Sequence, residues 1–316
     1  MTERARFGRT RIIVNPEAQS GAGAAAGERL ARFLSLCLPE GDFEVEFTER
    51  PRHAVELAAD AKGFDTVFAL GGDGTVHEVA NGLMRIQPTL RPALAVVPIG
   101  SGNDYARTLG IDDWHGTDFS GILSYRLQPM DVGRVRFSDE DGSVRTEHFV
   151  QTLSFGLDAA IALETHEVRQ RVKLTGNALY MMSAARAFGR DYRTFPCIAA
   201  FDDEPARCME PIVMALQIGP TYGSGFEICP DADPADGLLD VCYAEGPFPR
   251  VGAAGIFLMA KSGRHTGFKR IKMRRAARAR FDLEGEHPVQ ADGEALPCRH
   301  LEVDVIAGGL TVYQPA

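Results

Sequence analysis

The stretch Thr66 to Leu83, TVFALGGDGTVHEVANGL, decides the fold. An apolar run from Val67 to Leu70 ends in Gly71, Gly72, Asp73, Gly74 and Thr75, and the following HEVANGL has helical spacing. Strand, tight glycine turn and helix in immediate succession form the unit from which parallel α/β sheets are built. Glycines let the backbone approach a polyphosphate closely, while main-chain N–H groups and the positive end of the helix hold the anion. A carboxylate there repels phosphate on its own. Asp73 becomes useful when it holds magnesium or orients a hydroxyl. The purely structural alternative is a turn in which Asp73 caps the helix.

Outward from this stretch the same rhythm repeats. Arg11 to Val14, Glu44 to Thr48 and Ala93 to Pro98 are the other strands predicted between Arg11 and Leu109, each followed by a helical segment. A second glycine turn, Gly100, Ser101, Gly102, Asn103, Asp104, follows the fourth strand. Ser101 is placed to donate to a phosphate oxygen, and Asn103 and Asp104 suit either that site or a helix cap. Both turns fall at carboxyl ends of strands, where open α/β sheets place ligands.

After about Met130 the pattern changes to short alternating segments, Val132 to Phe137, Val213 to Ile218 and Leu238 to Tyr243, broken by Gly, Pro and Asp turns. This predicts a mostly β domain, with helices at Asn177 to Phe188 and near Pro249 to Ser262. The expected architecture is an N-terminal doubly wound α/β nucleotide-binding domain (residues 1–130) and a C-terminal β-sandwich domain (131–316), with the last residues free to return to the first domain.

Composition excludes several classes. With 45% hydrophobic and 24% charged residues among 316, the chain is globular and long enough for two cores. A net charge of −9 argues against generic nucleic-acid binding. The opening MTERARFGRTRIIVNP has no apolar stretch of signal-peptide length. The longest apolar run, Val251 to Ala260, has ten residues and two glycines, short of the roughly 20 that cross a bilayer. A cytoplasmic protein with peripheral contact at the inner face of the membrane is expected. Cys37, Cys197, Cys208, Cys229, Cys242 and Cys298 show no CxxC or zinc spacing and are expected to be reduced thiols.

GGDGTVHEVANGL followed by PIGSGNDYARTLG is similar to the catalytic domain shared by bacterial diacylglycerol kinases, sphingosine kinases and ceramide kinases. VNPEAQSGAG resembles that family's Asn-Pro nucleotide loop, with Glu17 to Gln19 making it longer than the commoner NPxSG spacing. The similarity continues through MDVGRV (Met130 to Val135), SFGLDA (Ser154 to Ala159), GFEICPDADPADGLLDV (Gly225 to Val241) and VQADGE (Val289 to Glu294), and so covers nearly the whole chain.

The resemblance implies a lipid kinase that uses ATP and Mg2+, with the nucleotide between the domains and the lipid entering from the β side. It implies nucleotide contacts at Asn15, Thr48, Gly71, Gly72, Asp73, Gly74, Thr75, Val76, His77 and Ser101, and places Asp73 and Asp104 near the transferring phosphate. It implies a magnesium site using the Asp236 side chain with carbonyls around Asp233 and Leu238, an ion that is structural within the family. Taken alone, Asp231, Asp233 and Asp236 form an acidic turn that suits either a hard cation or plain solvation. Glu294 corresponds to the family's proposed general base, the group that takes the lipid hydroxyl's proton; Asp292-Gly293 alone reads as a hairpin turn.

Lys269 to Arg280 holds seven Lys/Arg and no acid. That polarity suits an anionic membrane at about 1 kcal/mol per basic residue, or equally a solvated basic strand edge that discourages edge pairing. Two rivals remain: a kinase of NAD, which resembles this family in its GGDGT loop and two-domain plan, and a non-catalytic nucleotide- or lipid-binding regulator. The regulator would be expected to lack one of Asp73, Asp104 or Glu294, and all three are present.

Overall fold

A computed structural model describes residues 5–38, 42–111, 118–138, 142–171, 176–246 and 249–316. It divides into two compact units, Met1–Met130 with Gly308–Ala316, and Asp131–Ala307.

The first unit runs β1 (Arg9–Val14), α1 (Ala18–Gly21), α2 (Gly23–Cys37), β2 (Asp42–Phe47), α3 (His53–Ala59), β3 (Thr66–Gly71), α4 (Asp73–Met84), β4 (Ala93–Pro98) and α5 (Asp104–Thr108), and ends in β5 (Arg126–Ser138), which carries the chain onward. The strands lie in the order β2-β1-β3-β4, and every pairing is parallel. Val67 to Leu70 are buried, as continuous apolar runs are when a parallel strand is covered on both faces. Helix α4 buries Val76, Val79, Ala80 and Leu83, an i, i+3, i+4, i+7 stripe, and packs on β3 and α3. Helix α2 lies close to β1, with Gly27 against the Val14 side chain, where a Cβ would stand 2.7 Å from a Val14 methyl carbon.

The second unit continues with β6 (Val144–Phe149), β7 (Thr152–Gly156), α6 (Leu157–Arg171), α7 (Gly176–Arg190), β8 (Cys197–Phe201), β9 (Arg207–Met209), β10 (Pro211–Gln217), β11 (Thr221–Tyr222) and β12 (Phe226–Glu227). It is completed by β13 (Leu239–Glu245), α8 (Arg250–Met259), β14 (Ile271–Ala276), β15 (Arg278–Leu283), β16 (Val289–Ala291), β17 (Glu294–Ala295) and β18 (His300–Gln314). One antiparallel sheet has the order β14-β13-β10-β7-β16-β17, and the other joins β18, β15, β8 and β9. Their inner faces share one apolar core: Leu153, Phe155, Met214 and Leu216 meet Ala199, Phe201 and Phe281, with the Phe155 and Phe281 rings edge-on at 5.2 Å. This is the expected sandwich. The tail of β18 returns to the first unit, where Val312 and Tyr313 pair in parallel with Leu94 and Ala95.

One element departs from the sequence reading. Leu157–Arg171 is a helix that the sequence reading did not include: β7 ends at Gly156, whose φ of +92° turns the chain into the 15-residue helix α6. The ion pairs of buried Glu164 with Arg186 (2.6 Å) and Arg190 (3.0 Å) tie α6 to α7.

Candidate active site

In the first unit the carboxyl ends of β1, β2, β3 and β4 gather Asn15, Thr48, the Gly71 to Thr75 turn and the Gly100 to Asp104 turn. Parallel pairing forces this, because all four strands end on the same side. The Thr48 N–H donates to Val14 O at 2.9 Å, and the Asn15 N–H donates to Leu70 O at 3.0 Å. Asn15 Nδ2 donates to Thr75 Oγ1 at 3.2 Å, while Asn15 Oδ1 accepts the Glu17 N–H at 3.0 Å, so one side chain shapes its own loop and holds the next.

The two glycine turns lie against each other. A Cβ on Gly72 would stand 3.1 Å from Gly100 Cα, and one on Gly100 would overlap Gly72 Cα. The Ile99 N–H donates to Gly71 O at 2.9 Å, and Asp73 Oδ1 accepts the Tyr105 N–H at 3.2 Å. Asn103, at φ +54°, closes the second turn by exchanging two hydrogen bonds with Gly100, at 2.9 and 3.1 Å. Asp104 is buried and accepts Arg107 Nη1 at 2.7 Å, while Arg107 Nη2 reaches Gly102 O at 3.2 Å.

Asp73 and Gly72 are half-buried, and Gly74 and Ser101 are exposed. The first turn of α4 therefore presents backbone N–H groups and a carboxylate at the rim. The Val76 and His77 side chains are buried, His77 against Asn81, and the Val76 N–H is engaged by Gly72 O at 3.1 Å.

In the second unit, Asp131 organises the acidic turn. Its buried Oδ2 accepts the Gly237 N–H at 2.6 Å, and its own N–H donates to Pro234 O at 2.8 Å. Sequence reasoning passed over this residue; its place in MDVGRV was the available signal. Asp233 Oδ1 accepts the Ala235 N–H at 3.0 Å, Asp236 Oδ1 accepts the Leu238 N–H at 3.0 Å, and Asp236 Oδ2 faces Arg275 Nη1 at 3.5 Å. Among the described residues no three His, Cys, Asp or Glu side chains converge as metal ligands. A cation held here by Asp236 with the Asp233 and Leu238 carbonyls would complete its shell with water, an all-oxygen donor set that fits magnesium in kind.

The segment Ala291 to Glu294 is a hairpin turn between β16 and β17 that also displays a carboxylate. Asp292 (φ +48°) and Gly293 (φ +95°) take the left-handed conformations of a two-residue turn. The Asp292 carboxylate accepts three backbone N–H groups, from Val150 at 2.8 Å, Gln151 at 3.0 Å and Thr152 at 2.8 Å. Glu294, two residues on, is half-buried, and its side chain makes no hydrogen bond or ion pair among the described residues.

All six cysteines are free thiols, and burial pushes Cys197 and Cys242 up to about 12, far from reactivity. In the basic segment, Arg274 is paired with Glu204, Arg275 with Asp240 and Asp236, and Arg278 with Asp203. These three arginines each face an acidic partner within the fold.

Residues 9–135 match the diacylglycerol kinase catalytic domain, and residues 151–314 match the YegS C-terminal NAD kinase beta sandwich-like domain. A Pseudomonas aeruginosa protein described as "probable lipid kinase YegS-like" is 31% identical over 84% of this chain and 81% of its own length. A Mycobacterium tuberculosis protein named diacylglycerol kinase is 27% identical over 98% of this chain and 96% of its own. The crystal structure of a diacylglycerol kinase from Bacillus anthracis superposes with TM-score 0.77 at 22% identity, covering 98% of both chains. Yeast NADH kinase superposes with TM-score 0.55 at 11% identity, over 98% of this chain and 83% of its own, a likeness of fold alone. With both family models matched in succession and a relative at 31% identity over most of its length, this chain belongs to the YegS-like and diacylglycerol kinase family of lipid kinases.

Proposed function

We propose that this protein transfers the γ-phosphate of Mg-ATP to the hydroxyl of a membrane lipid, diacylglycerol being the first acceptor to test. The observation that carries this reading is the contact of the two glycine turns, which sets a helix N-terminus, Asp73 and Ser101 on one rim. That combination suits a polyphosphate accompanied by a cation rather than a bare anion.

In this reading the α4 amides and Ser101 hold phosphate oxygens. Asp73 orients the reacting end of the nucleotide. Asp104, already paired with Arg107, acts by holding the second turn in place. Bound magnesium supplies charge neutralisation on the phosphates. Glu294 receives the lipid hydroxyl's proton as its oxygen bonds to the γ-phosphorus and the bond to the β-bridging oxygen breaks; ADP departs and the proton passes to solvent.

The test is phosphate transfer from radiolabelled ATP in mixed micelles containing diacylglycerol, ceramide or a sphingoid base, with NAD as a separate acceptor. Labelled lipid is the expected product. Labelled NADP with no labelled lipid would overturn the reading in favour of a kinase of NAD.

A further inference from the structure

Helix α8 contradicts the usual design of a surface helix. Its inner stripe, Ala253, Ile256, Phe257 and Ala260, packs inward, with the Phe257 ring stacked on Phe226 at 5.0 Å. Its outer stripe, Val251, Gly255 and Leu258 at i, i+4 and i+7, faces solvent, with Val251 86% and Leu258 53% exposed. A Cβ on Gly252 or Gly255 would meet nothing within 4 Å. Val251 to Ala260 contains no polar or charged side chain. A helix that is apolar all round belongs in a core or in lipid, and this one is too short to span a bilayer.

The surroundings select the occupant. From Gly246 to Phe281 there are ten Lys/Arg and no Asp or Glu, and three of the ten, Arg274, Arg275 and Arg278, are ion-paired with acids from elsewhere in the chain. Arg250 stands in the first turn of α8, Lys261 follows its end, and Arg264 lies in the 3-10 turn Arg264–Gly267 that packs against it. Lys269, beside the exposed Phe268, continues the basic rim, and among the described residues neither Arg264 nor Lys269 makes an ion pair. A second copy on the same face would oppose two basic rims across a two-fold axis. An anionic lipid surface is complementary to both the apolar stripe and its rim.

We propose that α8 is a membrane wedge, lying in the plane of an anionic bilayer with Val251 and Leu258 inserted among the acyl chains and Arg250, Lys261, Arg264 and Lys269 on the headgroups. This surface differs from the ion-paired Arg274, Arg275 and Arg278, and it stands apart from the phosphoryl-transfer reading.

The experiment is sedimentation with vesicles of phosphatidylcholine alone or with about a third phosphatidylglycerol, without ATP or any lipid alcohol, so that a failed kinase assay has no bearing on it. The parent should bind the anionic vesicles, and binding should weaken as salt shortens the Debye length from ~10 to ~3 Å. V251S/L258S should bind about tenfold more weakly or worse with an unchanged melting curve. L258W in a W114F background, leaving one tryptophan, should shift its emission to the blue on the anionic vesicles. Parental binding by V251S/L258S, or an unshifted L258W emission, would overturn the wedge. So would a parent that ignores vesicles yet forms a dimer that V251S/L258S dissociates.

Discussion

Asp73 Oδ1 accepts the backbone N–H of Tyr105 at 3.2 Å, so the first residue of α4 fixes the first turn of α5. Asp73→Asn keeps an oxygen in that position and removes the charge. It is expected to lower turnover by on the order of 10² or more while the melting temperature moves by no more than about 2 °C. Kinetics on micellar lipid and a thermal scan check this; a large loss of stability would make Asp73 a structural link first.

The contact of Gly72 with Gly100 leaves no room for a side chain. Gly100→Ala drives its Cβ into Gly72 Cα, which neither backbone can evade without separating the turns. A loss of about 1–3 kcal/mol in urea unfolding is expected, with at least a tenfold weaker affinity for a fluorescent ATP analogue. Gly74→Ala, whose Cβ meets nothing, should instead gain up to about 1 kcal/mol as a better helix former.

What sequence could show follows the range of the interactions. β3, its turn and α4 are legible because the apolar run, the glycines and the helical spacing are local to 18 residues, Thr66 to Leu83. Helix α6 was hidden because LDAAI runs straight on from the SFG that ends β7, and only the φ of Gly156 separates the two. Asp131 and Gly237 meet across 106 positions, and Asp292 and Val150 across 142, so no window of sequence contains either bond. The pairing of Arg274 with Glu204 lies beyond local reach for the same reason, so KRIKMRRAARAR gives no sign of the ion pairs it makes.

Asp158, the second residue of α6, is buried, and among the described residues its Oδ2 has no hydrogen-bond partner. Burial raises its carboxyl from 3.8 to about 7, and the Ser154 side chain offsets that only in part. The folded chain therefore holds this proton more tightly than the unfolded chain does. Its contribution to stability is complete below the ordinary carboxylate range and is lost as pH rises through about 7. Asp158→Asn stays neutral, so at about pH 8 it should exceed the parent by up to about 4 kcal/mol, an advantage that vanishes near pH 4. Urea unfolding at both pH values measures it, and parallel profiles for parent and variant would refute it.

Asp292 and Glu294 stand two residues apart on one hairpin and are expected to fail in opposite ways. The Asp292 carboxylate satisfies three backbone N–H groups; Asp292→Ala removes all three bonds and should cost about 3 kcal/mol or more, seen as a lower unfolding midpoint. Glu294 carries no such duty among the described residues, so Glu294→Gln should leave the midpoint and ATP affinity near the parent's. If its carboxylate accepts the lipid proton, kcat should fall by roughly 10² to 10⁴. Phosphoryl transfer passes through a loose transition state in which little proton movement has occurred, and an amide still positions the hydroxyl, so the loss belongs at the lower end of that range. Turnover near the parental rate would make Glu294 a turn residue and leave Asp73 as the group that orients the acceptor.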